Sequence, residues 1–143
     1  MSDLIRPPVA RRPEEALELV SQALSDGDLE AALAQYEKGA LLAYWPQAAD
    51  GDVRSTLTCF MALRLPLSVR IATVLESPEL ALVICERRVA GTGPDGEQVR
   101  LSGLGCAVLR PQPDGAWRIA ADAWHTGTDS ADHTDEMLAL PRG

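Results

Sequence analysis

The sequence predicts an α+β domain in which three N-terminal helices pack on one face of an antiparallel sheet. Three observations lead to this prediction. Apolar residues recur at helical spacing in the first part of the chain, and the period changes from 3.6 to 2 from Leu67 onward. The tripeptide Pro-Asp-Gly occurs twice, at 94–96 and 113–115, between strand-like segments. A chain of 143 residues is one domain by length and can bury a single core.

The first two helices are marked by their end signals. Pro13 can begin a helix because its missing N–H is harmless there, and Glu15 lies at the positive end of the helix dipole. The polar run 25–28 ends this helix, and Asp28 can cap a second one. Apolar spacing extends this second helix to Gly39.

A third helix is predicted to begin at Asp50 or Asp52 and to end before Pro66, because the residue before a proline avoids the helical conformation. Alternating apolar residues then predict four strands joined by short turns. These strands cover residues 68–76, 79–91, 97–110 and 115–124. Both Pro-Asp-Gly turns lie between strands, so both are predicted to be hairpins.

The charge and hydropathy of the chain exclude several classes of partner. Lys and Arg total 13 against 21 for Asp and Glu, and a net charge of -8 repels nucleic-acid backbones and anionic membranes. No apolar run reaches the length of a membrane span. Residues 1–12 are expected to form a flexible N-terminal segment, residues 13–125 the domain, and residues 126–143 a polar tail. Because residues 1–12 contain no apolar core of a secretion signal, the expected location is cytoplasmic.

The cysteines and two motif matches do not indicate a cofactor or a metal. Cys59, Cys85 and Cys106 each lie in an apolar stretch, which predicts buried, reduced thiols rather than disulfides or a zinc site. Residues 91–96 match the glycine pattern of dinucleotide-binding loops, but they lead into a strand and not a helix. His125 and the acidic and histidine residues after it lack a rigid element to fix a metal geometry. We therefore expect no cofactor and no metal.

Three stretches resemble the nuclear transport factor 2-like superfamily, and in particular its SnoaL-like branch, which includes ketosteroid isomerases and polyketide cyclases. The stretches are LVSQALSDGDLEAALAQY at 19–36, LRLPLSVRI at 63–71, and the two closing hairpins at 91–103 and 108–124. The resemblance covers residues 13–125. It implies a strongly curved, cone-shaped antiparallel sheet around the helices, a mostly apolar pocket at the open end, and a homodimer formed through the outer sheet face.

The residues that perform the isomerase reaction in this superfamily are not retained here. By the resemblance, the tyrosine of the first helix falls near Val20 and the carboxylate base at Tyr44 or Trp45. The buried aspartate of that enzyme, which stabilises the enolate by a hydrogen bond, falls near Gly105. Steroid isomerisation by this mechanism is therefore not expected.

A replacement acid or base is suggested by strand alternation. If Leu82 points into the cone, as the resemblance implies, then Glu86 and Arg88 point the same way, because residues on one face recur at every second position. The more common alternative is an outward-facing charge pair. A shift of one residue would turn Cys85 and Arg87 inward instead.

By the same register, the last strand directs Ala121 into the cone, leaves His125 at its mouth, and turns Asp122 and Trp124 to the outer face. The catalytic candidates are then Glu86, assisted by Arg88, Tyr44 or His125. The expected ligand-binding residues are Tyr36, Trp45, Phe60, Leu82, Ile84, Gly105 and Ala121.

Two functional hypotheses follow. The first is a homodimer that binds a small, largely apolar molecule and possesses cofactor-free acid/base activity of the isomerase, cyclase or dehydratase type. The second is a non-catalytic module for dimerisation or ligand sequestration. An open cavity of about 300 Å³ or more lined by Glu86 favours the first, and a cone filled by side chains favours the second.

Overall fold

A computed structural model describes residues 8–45 and 52–125 of the chain. The elements in this part are α1 (Pro13–Ser25), α2 (Leu29–Leu33), β1 (Tyr36–Trp45), α3 (Val53–Ala62), β2 (Leu67–Glu76), β3 (Ala81–Thr92), β4 (Gln98–Pro111) and β5 (Trp117–His125). The strands form one sheet in the order β1-β5-β4-β3-β2, and the helices pack on one of its faces. The predicted α+β class is confirmed.

Side-chain caps fix where two of the helices begin. The Asp28 carboxylate accepts a hydrogen bond from the N–H of Ala31 at 3.1 Å, so the predicted cap of α2 is confirmed. The Asp52 carboxylate accepts the N–H of Ser55 at 3.0 Å at the start of α3. Of the two predicted starts of α3, Asp52 is therefore the cap, and Asp50 lies outside the described residues.

The prediction that the second helix continues to Gly39 is wrong. The chain leaves the helix after Leu33 and enters β1, where Tyr36 aligns with Ile119 of β5. Gly39 has a φ of 81°, at a bulge in the register between these strands. The error arises because the pairing of β1 with β5 joins distant parts of the chain, and a short apolar run does not distinguish helix from strand.

The four predicted strands form the expected antiparallel meander from β2 to β5. The complete sheet is mixed, however, because β1 pairs with β5 in the parallel direction. Both predicted hairpins are also confirmed. Gly96 and Gly115 have φ values of 86° and 88°, and the carboxylates of Asp95 and Asp114 each accept the N–H two residues further on.

Residues 8–12, which are part of the N-terminal segment expected to be flexible, make specific contacts. The Gln35 side-chain amide donates to the carbonyl of Pro8 at 2.8 Å. The N–H of Trp117 donates to the carbonyl of Ala10 at 3.0 Å, and Ala10 is buried. Residues 8–12 thus extend the folded unit beyond the first helix.

The core lies between the helices and the inner face of the sheet. Its largest fully buried aliphatic side chains are Leu17, Val20, Leu42, Leu57, Val83, Leu109 and Ile119. Within residues 8–45 and 52–125, no helix has the length and apolar character needed to cross a membrane.

Candidate functional site

A charged pair is buried in the interior, between the sheet and the helices. Arg87 of β3 donates from both terminal nitrogens to the carboxylate of Asp122 on β5, at 3.2 and 3.0 Å. Their side chains are only 5% and 0% exposed. The Tyr36 hydroxyl and the Trp124 indole N–H donate to the same carboxylate at 3.0 and 2.8 Å. These four residues are referred to below as the interior cluster.

Gly105 of β4 lies between the two charged partners. Its cross-strand neighbours are Cys85 of β3 and Trp124 of β5, so the Arg87 side chain must pass over β4 to reach β5. A Cβ atom on Gly105 would lie 2.5 Å from the Arg87 Nη1 atom and 3.1 Å from the Cys85 sulfur. The missing side chain therefore makes room for the guanidinium. The space expected for a ligand at Gly105 is occupied by the Arg87 guanidinium.

Burial and the charge of neighbouring groups change the pKa of three interior side chains. Burial, reinforced by the negative charge of Asp122, raises the pKa of the Tyr36 phenol well above its usual value. Burial acts to lower the pKa of Arg87, but attraction by Asp122 opposes this and the pKa stays above its usual value. Burial also raises the pKa of the Cys85 thiol. None of these three shifts moves a pKa toward neutrality, where general acid/base catalysts work.

Aromatic rings meet at the end of the interior where β1 and β5 finish. The ring centroid of Phe60 lies 4.9 Å from that of Tyr44 and 4.5 Å from that of Trp124. The guanidinium carbon of Arg87 lies 4.1 Å from the Trp124 ring centroid, which is cation–π distance. Phe60 and Tyr36 are thus buried in the interior, and Tyr44 is half-buried beside Phe60. The side chain of Trp45, also predicted to line the cone, lies outside the described part of the structure.

The placement of Glu86 inside the cone is wrong. Alternate residues of β3 are buried on the inner face, and the outer face carries the predicted site residues Leu82, Ile84, Glu86 and Arg88. The Glu86 carboxylate lies 3.6 Å from Arg70 and 3.7 Å from Arg88, both exposed. The structure thus has the one-residue shift that the sequence left open, with Cys85 and Arg87 inward. The catalytic roles stay predictions, but they depended on an inward Glu86 carboxylate, and Glu86 lies on the outer face.

The predicted orientation of β5 is wrong from Ala121 onward, because the register with β4 is irregular between Ile119 and Ala121 and the faces change there. Asp122 aligns with Ala107 on the inner face of β4, whereas Ala121 and His125 alternate to the outer face. The sequence alone favours the charged residue outside and the small residue inside. The Arg87 guanidinium reverses this preference because it supplies a buried partner for the Asp122 carboxylate.

The three thiols differ in exposure. Cys85 is buried, as predicted, but Cys59 and Cys106 are exposed, so the prediction of burial is wrong for both. Each is a free thiol. Within residues 8–45 and 52–125 no group of three or more metal-ligating side chains is close enough to hold an ion.

The outer face of the sheet carries a band of mostly apolar residues two rows deep. One row consists of Leu75, Leu82, Val108, Ala121 and Leu41, and the other of Thr73, Ile84, Cys106, Ala123 and Ala43. Each row crosses all five strands, a span of about 19 Å at the usual strand spacing. These ten residues are referred to as the outer band. Its edge residues Leu41 and Leu75 are exposed and its central residues Leu82, Ile84 and Val108 are half-buried. Contiguous apolar surface that solvent can reach is typical of an interaction site.

Comparison with known proteins shows a likeness in structure. No protein-family model and no curated protein matches the sequence. Among solved structures, a ketosteroid isomerase-like protein from Erwinia carotovora atroseptica has 17% identity and a TM-score of 0.69, over 82% of this chain and 95% of that one. An NTF2-like protein with a cystatin-like fold from Novosphingobium aromaticivorans has 17% identity and a TM-score of 0.64, over 85% and 83%.

A third structure, from Thiobacillus denitrificans, is provisionally described as a calcium/calmodulin-dependent protein kinase type II association domain. It has 18% identity and a TM-score of 0.66, over 82% of this chain and 97% of that one. At these identities the likeness concerns the fold. This chain has the nuclear transport factor 2-like fold that the sequence predicted.

Proposed function

We propose that this protein is a non-catalytic association module that forms a homodimer through the outer face of its sheet. The observation that carries the proposal is the pairing of Arg87 with Asp122. In this pair the two buried charged groups hydrogen-bond to each other. The outer band is then the surface of the described residues whose apolar composition suggests a function.

The interior offers little for acid/base catalysis. The Asp122 carboxylate accepts four hydrogen bonds, and within the described residues no buried side-chain polar atom lacks a partner. A substrate would have to displace the guanidinium or the phenol, which would leave buried polar groups unpaired at a cost of about 1–3 kcal/mol each. The carboxylate expected to act instead, Glu86, lies on the opposite face.

The outer face supports self-association by its composition and extent. The outer band is bounded by charged residues, with Glu86 and Arg88 beyond one row and Arg110 and Arg118 beyond the other. An apolar centre with a polar rim is the usual anatomy of an interface. The outward side chains of the five strands are similar in number to those of an interface of standard size, about 20–30 residues a side. The association domain among the similar structures is compatible with this use of the fold.

Sedimentation equilibrium tests the proposal. We expect a dimer for the natural chain, and at least about tenfold weaker association for the Cys106→Asp and Leu41→Asp variants, because each places two unpaired carboxylates in the interface. Cys106 and Leu41 are exposed, so these changes leave the core intact. Val9→Asp is the matched control, since Val9 is 46% exposed and lies outside the sheet. A monomeric natural chain, or equal weakening by Val9→Asp, would refute the proposal.

A second function, binding of a small apolar molecule in the cone, is supported by one observation. Tyr44 is only half-buried and its ring contacts that of Phe60, so a ligand could pack against Tyr44 beside Phe60. Native mass spectrometry of the purified protein tests this function. A bound molecule that is lost in the Phe60→Ala variant supports it, whereas identical ligand-free spectra for both chains count against it.

A further inference from the structure

We infer that the two-fold axis of the homodimer runs along β4, so that Leu41 of one protomer packs on the partner's Leu75. This inference rests on the proposed function and adds the geometry of the partner. β4 is the middle strand of the five. Leu41 and Leu75 are 63% and 57% exposed, and they lie at opposite edges of the sheet, each two strands from β4.

Symmetry limits how two copies of one sheet can face each other. The two-fold axis of such a pair lies in the plane between the sheets, and the interface is self-complementary. An axis along β4 places the β1 edge of one protomer over the partner's β2 edge, and β3 over the partner's β5. An axis across the strands, between the two rows of the outer band, places each strand over its own copy.

Side-chain size distinguishes these two arrangements. On one side of β4, β3 presents the large residues Leu82 and Ile84, and on the other side β5 presents Ala121 and Ala123 in the same two rows. With the axis along β4, each large residue meets an alanine of the partner. With the axis across the strands, Leu82 meets the partner's Ile84 while Ala121 meets the partner's Ala123. That arrangement crowds one strand pair and leaves a gap at the other.

Close packing therefore favours the axis along β4, because interfaces approach the packing density of protein interiors. The same arrangement also covers the exposed leucines. Leu41 and Leu75 come from opposite edges and meet across the interface, whereas the other axis would place Leu41 over the partner's Ala43 and Leu75 over the partner's Thr73. The outer band is thus self-complementary about its central strand.

Crosslinking between two single-cysteine chains tests the inference. Leu41→Cys and Leu75→Cys are each made in a Cys59→Ser, Cys106→Ser background, and the two chains are unfolded and refolded together so that mixed dimers form. A bismaleimide whose reach matches the ~10 Å separation of packed sheets is then added. We expect a covalent dimer from the mixture and at least tenfold less from either chain alone. Both sites are exposed, and circular dichroism confirms that each variant is folded.

The control pair is Leu41→Cys with Ala43→Cys, which the axis across the strands would bring together. Efficient crosslinking of that pair, with none between positions 41 and 75, would overturn the inferred axis. A dimer in sedimentation that gives no crosslink between positions 41 and 75 would also overturn it while leaving the proposed function intact. A monomer in sedimentation would refute the proposed function itself.

Discussion

Removing the negative charge from the interior cluster should be one of the most damaging conservative changes in this chain. Asp122→Asn keeps the size of the side chain but leaves the Arg87 guanidinium buried without a counter-ion. Breaking a buried pair by removing one partner costs about 3–5 kcal/mol. Domains of this kind have a total free energy of unfolding of about 5–15 kcal/mol. The variant is therefore expected to lose a large part of its stability.

Urea unfolding followed by circular dichroism measures this loss through the transition midpoint at constant slope. The matched control is Glu30→Gln, because the Glu30 carboxylate accepts a hydrogen bond from the Arg54 Nη1 at 3.0 Å and both side chains are exposed. This exposed pair should contribute less than about 1 kcal/mol. A loss of under about 1 kcal/mol for Asp122→Asn, or equal losses for both variants, would show that the interior cluster does not hold a buried charge pair.

Three further outcomes are expected. Gly105→Ala should lower the free energy of unfolding by about 1–3 kcal/mol, because the added methyl group overlaps the Arg87 guanidinium; an unchanged urea midpoint would contradict the close approach. The raised pKa of Tyr36 in the folded chain implies a stabilisation that is complete below the unfolded value of about 10 and is lost as pH rises toward the folded value. Above the unfolded pKa, the free energy of unfolding should therefore fall less steeply with rising pH in Tyr36→Phe than in the natural chain. Identical pH profiles of the two chains would contradict this. Glu86→Gln should change the unfolding midpoint by less than the equivalent of about 1 kcal/mol, since its partners Arg70 and Arg88 are exposed, and a larger loss would argue for a role that these surface contacts do not explain.

Local signals predicted the elements whose ends are fixed by nearby residues. The capping carboxylates of Asp28 and Asp52 and the two Pro-Asp-Gly turns act within a few residues of where they occur, so the sequence alone located them. Strand β1 was missed because its partner, β5, lies about 80 residues away in the chain and pairs with it in parallel. Parallel strands are not joined by a short hairpin, so no turn in the sequence indicates their pairing.

The face of each strand was harder to predict than its existence. In β3, apolar side chains occur at both even and odd positions, so alternation does not decide which set is buried. The deciding interaction joins Arg87 and Asp122 across β4, where Gly105 provides the space. The sequence does contain the relevant signal, an arginine, a glycine and an aspartate on three successive strands. These residues predict a buried ion pair only when the register of the three strands is known.

The rate at which iodoacetamide alkylates Cys106 tests most directly whether the outer band is an interface. Cys106 lies in the outer band, and Cys59 on α3 is an exposed internal control in the same chain. Burial already raises the pKa of Cys106, so each thiol is compared with its own rate in dilute protein. As the protein concentration rises, we expect Cys106 alkylation to slow at least tenfold while the rate at Cys59 stays constant. A constant ratio of the two rates across the whole concentration range would contradict an interface at this face.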